Sequence, residues 1–248
     1  MNRTTTVEAA SDVTGFDAAA FASSTLGNWQ NLAAIIDHTL LKAEANHSQV
    51  VKLCEEAAAY RFACAMVNPA WVALAHSLLV GTQVPVGTVV GFPLGASLST
   101  TKREEAFSLI KLGAAEVDMV INIGQLKSGQ NAVVADDIRG VVEVAHDAGA
   151  IVKVILETCL LSVEEKLRGS ELAIAAGADF LKTSTGFSIS GANPQDVALL
   201  RGVAGSRSGV KAAGGIRSLE DARHMLEAGA NRIGASASVA IVRELGAP

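Results

Sequence analysis

Four segments of this chain, "KLGAAEVDMVI", "AHDAGAIVKVI", "AIAAGADFLKT" and "MLEAGANRIGA", repeat one arrangement: a helix end, a glycine, one or two small residues and a strand. Gly113, Gly149, Gly177 and Gly229 stand where each helix must stop, a position that favours left-handed backbone and hence a residue without a Cβ. Such a chain builds consecutive βα units around a parallel sheet. The β-branched runs predict strands over Ala34–Thr39, Cys64–Asn68, Val86–Gly91, Glu116–Asn122, Ile151–Glu157, Phe180–Ser184, Val210–Gly214 and Arg232–Ala235. Helical periodicity predicts helices over His47–Tyr60, Thr101–Leu112, Asn131–Ala148, Val163–Ala176 and Ser218–Ala228. Ser162 with Glu165, and Ser218 with Asp221, have the spacing of capping boxes.

A doubly wound sheet would leave the same local signs. Eight similar units in 248 residues favour closure instead, because a (β/α)8 barrel typically takes ~250 residues. The expected fold class is therefore α/β, a single TIM (β/α)8 barrel over residues 29–248, preceded by a short N-terminal extension, 1–28, that is helical or flexible.

Composition narrows the function classes. Half of the residues are apolar and 18% are charged, enough for a packed core and too little charge for a disordered chain. The net charge of -5, without a cluster of Lys and Arg, argues against nucleic acid as a partner. Cys54, Cys64 and Cys159 are odd in number and lack CxxC spacing, so neither a disulfide framework nor a zinc site is expected and a reducing cytoplasm is the natural compartment. The longest uncharged run, around Val84–Ala96, holds two prolines and falls short of the ~20 residues of a membrane span. Glu8, Asp12 and Asp17 against the single Arg3 do not fit a basic targeting peptide.

In a parallel barrel the active site forms at the C-terminal ends of the strands, so a polar residue inside or ending an apolar strand is a candidate. That test selects Asp37, Asp118, Lys153, Glu157, Lys182 and Lys211, with Thr39, Asn68, Thr183 and Ser184 beside them. Period-two alternation points Lys182 to the same face as Phe180 and Ser184, the expected barrel interior. Burial and a neighbouring cation both lower a lysine's pKa, and Lys211 on the next strand would be that cation. A neutral amine attacks carbonyls, and Asp118 could balance charge and relay protons. Lysines beside a carboxylate also make plain structural ion pairs, and the lysines alone leave that reading open. Asp37 could be a hydrogen-bonding brace, and Lys153 with Glu157, four apart on one strand face, a salt bridge or a substrate-positioning pair.

Glycines supply the second signal. Gly186 follows Thr185 after strand six, Gly214 and Gly215 follow strand seven with Arg217 close behind, and Gly234 and Ser236 close strand eight. Bare N–H groups in such loops converge on phosphate in many barrels, although glycine also serves tight turns. His47, His76, His146 and His224 fall in helix candidates without ligand spacing, so no metal is expected. Cys64 reads as a core residue, Trp71 as a helix anchor, and "GFPLG" at Gly91–Gly95 as a turn that shapes the pocket mouth or bends the chain.

The motifs "IDHTLL", "VVGFPLG", "EVDMVIN", "KVILET", "FLKTSTGF", "VKAAGGIR" and "RIGAS", in order over residues 36–236, resemble the deoxyribose-phosphate aldolase family. The resemblance implies reversible cleavage of 2-deoxy-D-ribose 5-phosphate to D-glyceraldehyde 3-phosphate and acetaldehyde, in deoxyribonucleotide catabolism. It implies no metal or organic cofactor, and a homodimer or homotetramer. It places the Schiff base on Lys182, the pKa-lowering lysine at Lys211 and the relay carboxylate at Asp118. Substrate contacts fall to Asp37, Thr39, Lys153 and Thr185, and phosphate contacts to Gly186, Gly214, Gly215, Arg217, Gly234 and Ser236. Ala237 stands where some members have a second serine. Some members also end in a tyrosine; here the sequence ends Gly246-Ala247-Pro248 and the only tyrosine is Tyr60, which implies slower enamine protonation. Two other readings compete: a Schiff-base aldolase for a different phosphorylated sugar, and a silent barrel that senses sugar phosphates.

Overall fold

The structure is a computed structural model that describes residues 15–248. Eight parallel strands close in chain order, β1 to β8, with β8 paired back to β1. They are β1 (Ile36–Leu40), β2 (Cys64–Val67), β3 (Val86–Val90), β4 (Ala114–Val120), β5 (Ile151–Ile155), β6 (Phe180–Lys182), β7 (Gly209–Ala213) and β8 (Arg232–Ala235). The helices before β3 are α1 (Ala18–Thr25), α2 (Trp29–Ala33), α3 (His47–Tyr60) and α4 (Val72–Leu79). The rest are α5 (Ser99–Lys111), α6 (Ile123–Lys127), α7 (Asn131–Asp147), α8 (Val163–Ala175), α9 (Pro194–Ala204), α10 (Leu219–Glu227) and α11 (Ser238–Glu244). The TIM barrel expected from the strand repeats is thus the fold.

Local chemistry explains the boundaries. The four stop glycines all have positive φ, from 73° at Gly149 to 107° at Gly229. Ser162–Glu165 and Ser218–Asp221 form reciprocal capping boxes, and Asn46 with Gln49 makes a third at α3. Most strands stop one or two residues short of the expected span, because Asn68, Gly91, Glu157, Ser184 and Gly214 have turned into the loops that form the top of the barrel. The helix α4 carries too little polar contrast to show a periodic face, and α6 is only five residues long. Within the expected extension, residues 1–14 lie outside the described residues. The rest is ordered: Asp17 caps α1, Asn28 caps α2, and the Phe16 ring lies 4.1 Å from the Arg201 guanidinium. Among the described residues no helix is long and apolar enough to cross a membrane.

Two cores divide the molecule. The larger lies between sheet and helices and takes the outward side chains, such as Val67, Val117, Met119, Val154, Leu181, Val210 and Ile233. A smaller one lies inside the barrel, where Cys64, Met66, Val89 and Leu41 pack together. Gly87 makes room for it, since a Cβ there would come within 2.5 Å of Cys64 Sγ. Burial pushes the Cys64 thiol well up, which fits packing and opposes a nucleophilic role. The other half of the interior is charged.

Candidate active site

Barrel register brings the charged residues to one face. Lys182 pairs with Lys211, Lys211 with Arg232, Asp118 with Lys153, and Asp37 with Gly234. Side chains of paired residues in adjacent parallel strands point the same way, so all of these enter the interior. Lys182 Nζ donates to Asp118 Oδ2 at 2.7 Å, and Lys211 Nζ donates to the same oxygen at 2.6 Å. The other oxygen, Oδ1, accepts from Lys153 Nζ at 2.8 Å. Lys153 also meets Glu116 at 2.5 Å. Lys211 binds Asp37, whose second oxygen accepts from Arg232 Nε at 2.6 Å, and Arg232 reaches both oxygens of Glu116 at 2.9 Å.

This closed network sets the charge of the amine. Four cationic side chains, Lys153, Lys182, Lys211 and Arg232, face three carboxylates, Asp37, Glu116 and Asp118, and nearly all are buried. If all carry charge there is one positive excess in a dry interior, and deprotonating one lysine removes it. Lys182 is the one that yields. Burial pushes its pKa down to about 8; Asp118 pulls it up and the Lys211 ammonium pushes it further down. Lys153 moves the other way, since Asp118, Glu116 and Asp37 outweigh its burial. Against burial, the lysines around Asp118 hold its carboxyl well below the usual range, and Lys211, Lys153 and Arg232 hold Asp37 at about 2.

Above the network opens a cavity of about 420 Å³ with Lys182 in its lining. Thr39, Thr185, Gly186, Gly214, Gly215, Arg217, Gly234 and Ser236 line it too, so the residues expected to meet phosphate share one cavity with Lys182. The β6–α9 and β7–α10 loops touch there: Ala192 N donates to the carbonyls of Ala213 and Gly214. A Cβ on Gly191 would sit 2.1 Å from Gly214 O. Gly214 and Gly215 have φ near 88° and 83°, which turns the backbone of this loop through the left-handed region.

Some expectations need correction or relocation. The Lys153–Glu157 pair does not form, because β5 ends at Ile155 and Glu157, at φ 56°, turns its carboxylate to Thr185. Lys153 instead belongs to the network beneath the cavity. Asp37, Asp118, Lys153 and Lys211 also lie below the cavity lining, and reach it through Lys182. Asn68 braces the β1–α3 loop through Leu41 O. Tyr60 lies at the end of α3, where its hydroxyl donates to Pro248 O at 2.6 Å. Phe92, within "GFPLG", stands edge-on to Phe187 at 5.3 Å, and Phe187 lines the cavity, so this turn backs one of the lining residues while residues 91–95 stay out of the lining. Glu116 and Arg232 were missed by the strand scan. Alternation from Asp118 and Gly234 would have found them, each two residues earlier on the same face.

Among the described residues one group could hold a metal by geometry, Asp37 with Cys64 and Glu116. Its carboxylates already bind Lys211, Arg232 and Lys153, so the protein's own cations fill that role.

Comparisons with known proteins place the chain in a family. The family model described as DeoC/LacD family aldolase matches residues 32–244. A deoxyribose-phosphate aldolase of Geobacillus sp. (strain WCH70) is 58% identical over 212 residues, covering 86% of this chain and 95% of that protein. One of Bacillus cereus (strain AH820) is 56% identical over the same shares. The solved tetrameric deoxyribose phosphate aldolase of Aeropyrum pernix superposes with a TM-score of 0.85 at 35% identity, covering 93% of this chain and 97% of that one. The chain therefore belongs to the DeoC/LacD family of aldolases, carbon–carbon lyases on a TIM barrel.

Proposed function

We propose that this aldolase reversibly cleaves 2-deoxy-D-ribose 5-phosphate to D-glyceraldehyde 3-phosphate and acetaldehyde through a Schiff base on Lys182. The observation that carries this reading is the amine itself: Lys182 Nζ lies at the cavity floor with its pKa lowered to about 8, sharing one Asp118 oxygen with Lys211. Neutral Lys182 adds to the carbonyl of the open-chain sugar, and loss of water from the carbinolamine leaves a protonated imine. That cation accepts the electron pair of the breaking carbon–carbon bond while the substrate hydroxyl loses its proton. Asp118, through Lys211 or a water, takes that proton and later returns one to the enamine carbon. Hydrolysis of the resulting imine releases acetaldehyde and restores the amine.

Asp37 and Lys153 act from below, holding Lys211 and Asp118 in place. The anion of the substrate is held by Gly186, Gly214, Gly215, Arg217, Gly234 and Ser236, with Thr39 and Thr185 at the sugar. The reading extends to a cytoplasmic homodimer or homotetramer that serves deoxyribonucleotide catabolism without metal or organic cofactor, with residues 1–28 as an extension of the barrel domain.

Reduction with borohydride in the presence of acetaldehyde tests the chemistry. An ethyl adduct mapped to Lys182 is expected; an unmodified Lys182 would support a silent sugar-phosphate sensor. A donor panel tests the substrate: turnover of dihydroxyacetone or pyruvate with none of acetaldehyde would move the activity to another sugar.

A further inference from the structure

Among the described residues, two other than glycine have positive φ, Arg61 at 54° and Glu157 at 56°. Arg61 is an exposed residue ending α3, where a left-handed cap is ordinary. Glu157 is different. It is buried, with 2% of its surface exposed, and stands between β5 and a short 3₁₀ turn, so no helix stop explains its backbone. Side-chain-bearing residues avoid this region unless the surroundings impose it, and such sites gather at ligand clamps.

What the backbone turn achieves is visible in the hydrogen bonds. Leu156 N and Thr158 N donate to the carbonyls of Lys182 and Thr183, lacing this segment to the strand of the reactive lysine. Between them the Glu157 carboxylate points to Thr185. Its Oε2 accepts from the Thr185 hydroxyl, the Thr185 N–H lies 3.3 and 3.4 Å from the two oxygens, and Cys159 Sγ lies 3.8 Å from Oε1. The Thr185 hydroxyl in turn accepts from Phe187 N at 3.0 Å. One carboxylate thus holds the bend Thr185-Gly186-Phe187, all three of which line the cavity. Gly186 in that bend lies against Gly214, where a Cβ on Gly214 would come within 3.4 Å of its Cα.

We propose that Glu157 is a positioning residue for the phosphate end of the substrate: its carboxylate fixes the Thr185–Phe187 wall against the Gly214 loop so that both present backbone to the same anion. This rests on the phosphorylated-substrate reading above. A carboxylate accepts at both oxygens, whereas an amide keeps one acceptor for Thr185 N and takes away the one that the Thr185 hydroxyl donates to. Glu157 touches neither Lys182 Nζ nor its partners, so it serves binding and leaves the amine alone.

Glu157→Gln and Thr185→Val are compared with the unmodified enzyme on 2-deoxyribose 5-phosphate and on unphosphorylated 2-deoxyribose, with inorganic phosphate as competitive inhibitor. The expected result for E157Q is a KM for the phosphorylated sugar raised about tenfold, phosphate inhibition weakened equally, and kcat/KM for the unphosphorylated sugar within about twofold. The double variant should lose no more than the larger single loss, since both remove one clamp. An equal fall on both sugars in E157Q would show general support of the barrel and overturn the assignment, as would unchanged phosphate inhibition in that variant. Acetaldehyde trapping on Lys182 separates the two readings: no adduct in the unmodified enzyme ends both, whereas adducts in all variants with unchanged phosphate inhibition end this one alone.

Discussion

Lys211→Met would keep an unbranched apolar stem inside the barrel and remove one ammonium from Asp118. Lys182 and Lys211 bind the same Asp118 oxygen at 2.7 and 2.6 Å, so their nitrogens are at most about 5 Å apart, which at an effective dielectric of ~20 is worth about 3 kcal/mol of repulsion. Divided by ~1.4 kcal/mol per unit, that repulsion lowers the Lys182 pKa by about two units. Without it the amine would titrate near ~10 and not at about 8. At pH 7 its neutral fraction falls about a hundredfold, and at pH 10 the difference shrinks to about twofold. Cyanoborohydride capture of acetaldehyde between pH 6 and 10.5 reads this directly, because capture rate follows the neutral amine. The acidic limb of the rate should move up by about two units in K211M. A variant that loses rate at every pH while keeping a limb near 8 would show that Lys211 moves protons without tuning Lys182, and the electrostatic account would be wrong.

Lys182→Met should stabilise the fold at pH 7. The amine loses its proton near 8 in the folded chain but near 10.5 when unfolded, so between those values the unfolded state binds more protons and stability rises with pH. Below 8 the buried ammonium costs up to about 3 kcal/mol, which methionine avoids; urea unfolding at pH 7 and 10 should show a gain at the lower pH that fades at the higher. A variant less stable at both would refute this. Arg232→Leu strips Glu116 and Asp37 of a shared partner and should cost about 3–5 kcal/mol, measured in the same way; a loss under about 1 kcal/mol would mean Lys153 and Lys211 suffice. In Gly234→Ala the new Cβ would come within 3.0 Å of Ala213 Cβ and 3.1 Å of Lys211 Cε. Displacing Lys211 by a few tenths of an ångström should lower kcat by about tenfold with little change in melting temperature, and unchanged kcat would argue against a rigid amine pair.

Much of this protein was legible in its linear order, because the relevant forces act over a few residues. The glycine stops, the capping boxes at Ser162 and Ser218 and the eight β-branched runs are local, and the inward aim of Lys182 follows from strand alternation. The glycine-rich ends of β6, β7 and β8 meet in one cavity, as their order along the chain implies once the strands are taken to be neighbours. Partner choice among the interior charges needed the closed barrel. Lys153 and Glu157 share a strand run in sequence, yet a single left-handed residue sends the carboxylate to Thr185, while register delivers Asp118 from β4 to Lys153. Arg232 reaches Glu116 from 116 positions away only because β8 closes onto β1 and lays it across the barrel floor. A lysine's pKa depends on every charge within a few ångströms and on the absence of water, and those distances exist only after the sheet has closed.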